Sequence, residues 1–152
     1  MIDVLSVASE AYPLIKTGGL ADVAGALPAA LAPYGVSMRT LIPGYPAVMG
    51  EAAGARVVYE FGDLFDGPAR LLAGRAAGLD LIILDAPHLY DRPGNPYLDA
   101  TGRDWPDNWK RFAALCWVAG KLSLGLIEGY QPQIVHAHDW TAGLAPAYVK
   151  YG

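Results

Sequence analysis

Residues 2–42 read IDVLSVASEAYPLIKTGGLADVAGALPAALAPYGVSMRTLI, and their pattern decides the fold. Ile2 to Ala8 is short, apolar and bounded by polar residues, as expected of a strand buried in a parallel sheet. From Leu20 the apolar residues fall at Leu20, Val23, Ala24, Leu27, Leu31 and Tyr34, offsets that share one helical face. Gly25 and Pro28 oppose a helix locally. An interior proline removes a backbone bond and costs ~3 kcal/mol, so packing or a kink must compensate. Gly35 is placed to end the helix in the left-handed conformation, and Val36 to Ile42 reads as the next strand. Strand, helix and strand in this order form a βαβ unit.

Outward from that unit the chain is less regular, then repeats the alternation. Arg56–Phe61, Ala69–Gly74 and Leu79–Asp85 read as strands. Residues 88–106, HLYDRPGNPYLDATGRDWP, form a long loop with three prolines, and loops of that length often carry function. Pro106 opens a helix reaching to about Leu126, with Phe112, Leu115, Cys116 and Ala119 on one face. PQIVHAHDW, residues 132–140, is a short strand with a loop at its carboxyl end, and Ala142–Lys150 begins a further helix. The expected fold class is α/β: a Rossmann-like open parallel sheet with flanking helices.

Composition narrows the function. The chain of 152 residues is 53% hydrophobic and 17% charged, which excludes disorder. A net charge of −4 with no basic run argues against nucleic acid as a partner. No apolar stretch reaches the ~20 residues of a membrane span, so no membrane partner is expected. Asp3 and the lack of a basic segment make the start a first strand and not a signal peptide. The lone Cys116, in an apolar helical pattern, is expected to be a buried thiol in a reducing cytoplasm.

Two polar clusters, Lys16–Asp22 and His138-Asp139-Trp140, fall where a parallel sheet presents ligands, outside the carboxyl ends of its strands, and a third, around Tyr97, lies in the long loop. Lys16, Gly18 and Gly19 precede a helix N-terminus, where amide groups and the helix dipole favour an anion, often phosphate. They match neither the P-loop nor the dinucleotide fingerprint, and the alternative is a turn with an exposed lysine. Asp22, in the first helical turn, suits either the dipole or a substrate hydroxyl. His136, His138 and Asp139 lack the third ligand motif of a zinc site. One imidazole packing in the sheet, with the other projecting beside Asp139 towards a hydroxyl-rich ligand, is the simpler reading. Asn95, Tyr97, Trp105 and Trp109 could stack on a sugar, although core packing explains the tryptophans equally well. Tyr97 is expected to be partly accessible.

These stretches together resemble a known family. VASEAYPLIKTGGLADVAGALPAALAPYG (7–35), LIPGYP (41–46), NPYLD (95–99) and VHAHDWTAGLAP (135–146) are similar to the start of bacterial glycogen synthases and plant starch synthases. Those enzymes are retaining glucosyltransferases of the two-domain GT-B fold. The resemblance implies glucose transfer from ADP-glucose to the non-reducing end of an α-1,4-glucan, with no cofactor and no metal. By the family's pattern, Lys16 contacts ADP-glucose near its phosphates, and Gly18 and Gly19 shape the loop beside it. Asp22, Tyr97 and Asp139 line the cleft near the glucose and the acceptor, and His138 and Trp140 follow less directly. Thr141 stands where the family often has histidine. No catalytic residue is assignable; Asp22 and Asp139 are the cleft candidates.

The resemblance also bounds what the chain can do. The family's cleft histidine lies in a TVHN-type motif that this sequence lacks. Residues 1–152 are therefore expected to be an incomplete N-terminal, acceptor-side domain, with the C-terminal nucleotide-binding domain absent and the chain inactive alone. A sheet cut there should leave an open edge and uncovered apolar surface, and so favour association. The alternatives are a non-catalytic module binding a glucan or sugar phosphate, and a nucleotide-dependent oxidoreductase, which the missing glycine fingerprint disfavours.

Overall fold

The computed structural model describes every residue from Met1 to Gly152. Its strands are β1 (Ile2–Val7), β2 (Val36–Pro43), β3 (Arg56–Phe61), β4 (Ala69–Ala76), β5 (Leu79–Asp85) and β6 (Ile134–Ala137). Its helices are α1 (Gly19–Leu31), α2 (Pro46–Glu51), α3 (Pro87–Tyr90), α4 (Asn108–Ser123) and α5 (Ala145–Tyr151). One six-stranded sheet has the order β3-β4-β5-β2-β1-β6. β1 runs parallel to β2 and β6, and β2 parallel to β5, so the expected βαβ unit is present.

The sheet is mixed and not wholly parallel. β4 pairs antiparallel with β5, and β3 antiparallel with β4. The reason is the length of the connection. Only Ala77 and Gly78 join β4 to β5, both at positive φ (51° and 79°), as in a two-residue hairpin. A parallel crossover needs about a dozen residues or more.

Helix α1 forms where its periodicity places it, with Ala24 buried and Leu20, Leu27 and Leu31 partly buried on the expected face, but that face is turned towards Ala21 and away from Val23. Only Ala21 and Ala24 are buried, while Val23 and Tyr34 are 53% and 81% exposed. The helix rests its small-residue side on the backbone of the segment after β1. The Tyr12 amide donates to the Ala21 carbonyl at 2.9 Å. A Cβ on Gly25 would stand 2.2 Å from the Tyr12 carbonyl oxygen, so this approach requires glycine there. Pro28 lies within α1, which then tightens into a 3-10 turn at Ala32–Tyr34. Gly35 caps it at φ 81°, in the left-handed region as expected.

Helix α4 is the core helix. Phe112, Leu115, Cys116 and Ala119 are all buried on it, as their spacing predicts. It starts two residues after Pro106 and is shorter than its apolar pattern. The last helical segment begins as a 3-10 turn at Trp140–Ala142 before α5 packs against α4. No helix is long and apolar enough to cross a membrane. β6 forms one edge of the sheet, with Ile134 half exposed.

One feature of this architecture sets the site. Val7 of β1 lies beside Ala137 of β6, in parallel register. The segments Ala8–Glu10 and His138–Trp140 therefore leave the sheet side by side at its carboxyl edge.

Candidate functional site

Ser9 and Glu10, just past the end of β1, are both buried. The Glu10 carboxylate accepts from three donors: the Thr17 hydroxyl at 2.6 Å, the Gly18 amide at 3.2 Å and the Tyr97 hydroxyl at 3.1 Å. Tyr97 Oη also lies 2.7 Å from Ser9 Oγ, and the Thr141 hydroxyl donates to Ser9 at 3.0 Å. Each hydroxyl has one proton. Since Tyr97 gives its proton to Glu10, Ser9 must donate to Tyr97, and the relay runs Thr141 to Ser9 to Tyr97 to Glu10. Through Thr17, Gly18, Tyr97 and Thr141, the three segments that carry the polar clusters thus meet on one residue pair that sequence reasoning missed. A carboxylate directly after an apolar buried strand was the available signal, because a charge there needs partners.

Lys16 and Asp22 come together on the outer side of this loop. Lys16 Nζ bonds both Asp22 oxygens, at 2.8 and 2.6 Å, with both side chains about half exposed. Gly18 and Gly19 precede and open α1 as expected, but one amide is already used: Gly18 N–H is held by Glu10. A Cβ on either glycine would meet nothing within 4 Å, and Gly18 has extended backbone. Nothing inside the chain therefore requires glycine at 18 or 19.

Tyr97 is half buried, and its loop is firmly held. Asn95 Oδ1 accepts the Tyr97 and Leu98 amides, both at 2.8 Å, so Asn95 shapes the turn. Arg111 donates to the Pro96 carbonyl at 2.7 Å, and Asn108 to the Tyr97 carbonyl at 2.9 Å. Burial pushes the Tyr97 phenol up to about 12, with the Glu10 and Asp139 charges adding to it against the Ser9 hydrogen bond. The phenol therefore remains a proton donor to Glu10 throughout the neutral range. The Tyr97 ring lies 6.0 Å from Trp140 and 5.9 Å from Phe112. Trp140 is 61% exposed at this edge, and Trp109 stands 71% exposed instead of packing in the core. Trp105 lies under the Arg92 guanidinium, 4.7 Å away.

The histidines divide differently from the expectation. His138 is the buried one: its ring bonds Ser6 Oγ at 3.0 Å and stacks on exposed His136 at 4.1 Å. Burial, then the neighbouring His136, lowers the pKa of His138 and favours its neutral form. It lies on the sheet face beside β1, apart from the Glu10 network. Cys116 is buried as expected, its thiol 3.2 Å from the Thr141 carbonyl.

Asp139 is exposed at the carboxyl edge with φ 63° and ψ −174°, a region that only glycine adopts without strain. Such strain costs about 1–3 kcal/mol. Asp139→Gly is expected to stabilise the chain by about 1 kcal/mol, raising Tm by about 2–4 °C. Thermal unfolding followed by circular dichroism measures this, and a lower Tm would show that the backbone is relaxed there.

The largest cavity, about 630 Å³, lies elsewhere, between Phe61, Arg70, Asp85 and Pro87 beyond the β5 end. It shares no residue with the Glu10 network. The network is the better candidate because hydroxyls, a phenol and a backbone amide from three separate segments converge there on one buried carboxylate.

The architecture is shared with a solved catalytic domain. The structure is similar, with a TM-score of 0.74 and 27% identity, to the catalytic domain of starch synthase IV from Arabidopsis thaliana bound to ADP and acarbose. The match covers 99% of this chain and 30% of that one. The fold is thus that of the first part of a GT-B glycosyltransferase. The chain belongs to the starch synthase catalytic domain family, whose model matches residues 3–152. It is 64% identical over 150 residues to a glycogen synthase of Rhodopseudomonas palustris (strain BisB18). It is 63% identical over 150 residues to one of Methylocella silvestris. In both cases 99% of this chain is covered but only 31% of the relative's length.

Proposed function

We propose that this chain forms the acceptor-side wall of an ADP-glucose-dependent glucan synthase, as part of its N-terminal domain. A C-terminal nucleotide-binding domain would form the opposite wall. The reaction is glucose transfer from ADP-glucose to the non-reducing end of an α-1,4-glucan, with retention. The observation that carries the reading is the convergence of the Lys16–Gly19 loop, Tyr97 and the Thr141 segment on Ser9 and Glu10. The ADP and acarbose bound by the similar Arabidopsis domain support a nucleotide and an oligosaccharide as the ligands.

In this reading Lys16 meets the donor diphosphate. Gly18 and Gly19, whose missing side chains nothing within the chain explains, leave room for the donor. Asp22, Tyr97 and Asp139 line the cleft towards glucose and acceptor, with Trp140 offering an aromatic face and His138 further in. The transition state places negative charge on the departing diphosphate, which helps to deprotonate the acceptor hydroxyl in a front-face attack. A fixed cation at that position stabilises the transition state more than the ground state. A cytoplasmic setting belongs to the same proposal, in keeping with the free, buried Cys116.

The test is a chimera joining residues 1–152 to the remainder of the Rhodopseudomonas palustris (strain BisB18) relative. It is expected to incorporate labelled glucose from ADP-glucose into glycogen, whereas the 152-residue chain alone transfers none. A folded chimera that uses neither ADP-glucose nor UDP-glucose would overturn the reading.

A further inference from the structure

Glu10 is 1% exposed and takes part in none of the five ion pairs of the chain. An enclosed carboxylate with no cation is costly unless hydrogen bonds replace its water. Here three donors do so, and each comes from a different place: the Thr17 side chain, the Gly18 backbone and the Tyr97 phenol. The Tyr97 contact spans 87 positions in sequence. An apolar residue could fill the same volume without needing partners. What it could not do is fix the Lys16–Gly19 loop to the Tyr97 loop.

We infer that Glu10 is a positioning residue for the donor: its carboxylate holds the Lys16–Gly19 loop and the Tyr97 phenol in one fixed relation before ADP-glucose arrives. The inference rests on the function proposed above. The geometry gives Glu10 this effect through two neighbours of Lys16. With Thr17 Oγ and Gly18 N–H both turned inwards, the backbone on the carboxyl side of Lys16 is fixed, and its side chain is left on the outer surface beside Asp22. Ser9 and Thr141 extend the brace to the Asp139 segment through the hydroxyl relay. Such bracing prepays the ordering of the loop, which donor binding would otherwise have to supply.

Glutamine at position 10 has one acceptor oxygen in place of two, and its amide nitrogen must face either the Gly18 amide or the two hydroxyls. In the chimera, Glu10→Gln is expected to raise KM for ADP-glucose by about tenfold with a smaller change in kcat, since a loosened loop weakens ground state and transition state together. Thr17→Val removes one donor at an exposed position and should raise KM by about threefold, while Thr17→Ser keeps the hydroxyl and should restore it. A merely structural carboxylate would lower the amount of active enzyme and leave KM unchanged. If Glu10→Gln does not fold, the Thr17 pair decides. An active parent chimera whose folded variants all keep KM within about twofold overturns the inference alone. A folded parent chimera without glucose transfer overturns the functional reading and the inference with it.

Discussion

Replacing Lys16 by alanine in the chimera is expected to lower kcat/KM for ADP-glucose by about 10- to 100-fold while Tm moves by no more than about 4 °C. Two magnitudes separate these effects. The ion pair with Asp22 joins side chains that are 45% and 53% exposed, and exposed pairs contribute only about 0–1 kcal/mol. Losing it leaves the fold almost untouched. A charge-assisted bond from lysine to a phosphate is worth more, about 1.5–3 kcal/mol, and more still where charge builds up in the transition state. No second cation lies between Ala8 and Gly25 to replace it. In the proposed reading Asp22 would compete with the diphosphate for the same ammonium group, and the donor would displace or share that pair on binding. Steady-state kinetics with ADP-glucose, beside a thermal melt of the same preparation, measure both quantities. A kcat/KM within about threefold of the parent value would remove Lys16 from the donor site.

Much of this layout is legible in the sequence, for identifiable reasons. The β1-α1-β2 unit announces itself because its strands are buried on both faces and its helix is bounded by glycines. Strand direction is less legible. Ala77-Gly78 carries a weaker hairpin signal than Asn-Gly, so the antiparallel turn that mixes the sheet is hidden. Helix α1 shows why a regular apolar stripe is not sufficient. The surface it meets is the Tyr12 backbone, which accepts only small residues, and so Ala21, Ala24 and Gly25 face inwards while Val23 does not.

The site divides along the same line. Lys16, Gly18, Gly19 and Asp22 are visible because they are local: a cation and glycines at a helix start have a meaning that no distant contact is needed to supply. Glu10 and Ser9 are not, because their role depends on loops that return from positions 97 and 141. His138 shows the converse. Its spacing from His136 fixes the shared strand face, and only the packing reveals that Ser6 takes its ring nitrogen at 3.0 Å.

The same dependence on distant contacts makes Arg111 a position where a substitution is expected to cost stability. Its side chain is 1% exposed and has no carboxylate partner. The guanidinium instead donates to the Leu89 and Pro96 carbonyls, at 2.6 and 2.7 Å, and to Asn108 Oδ1 at 2.8 Å. It also lies 5.7 Å from the Tyr90 ring and 5.4 Å from the Phe112 ring. Arg111→Met keeps most of the volume and removes a buried charge, which by itself relieves desolvation. Burial is indeed the main influence on Arg111, lowering its pKa from the usual arginine range. Against that gain stand three buried oxygens losing a charged donor, at about 1–3 kcal/mol for each one left unsatisfied. The loss is the larger, and Arg111→Met is expected to destabilise the chain by about 3 kcal/mol, lowering Tm by about 6–12 °C. Lysine should not rescue it, since one ammonium cannot reproduce the planar fork that reaches three acceptors. The damage should begin where Pro96 is released, at the loop that carries Tyr97. Hydrogen exchange should therefore accelerate at the Tyr97 and Leu98 amides before it does so in β1 or β2. Equilibrium denaturation that finds Arg111→Met within about 1 kcal/mol of the parent would mean that these oxygens find other donors and that Arg111 does not brace the loop.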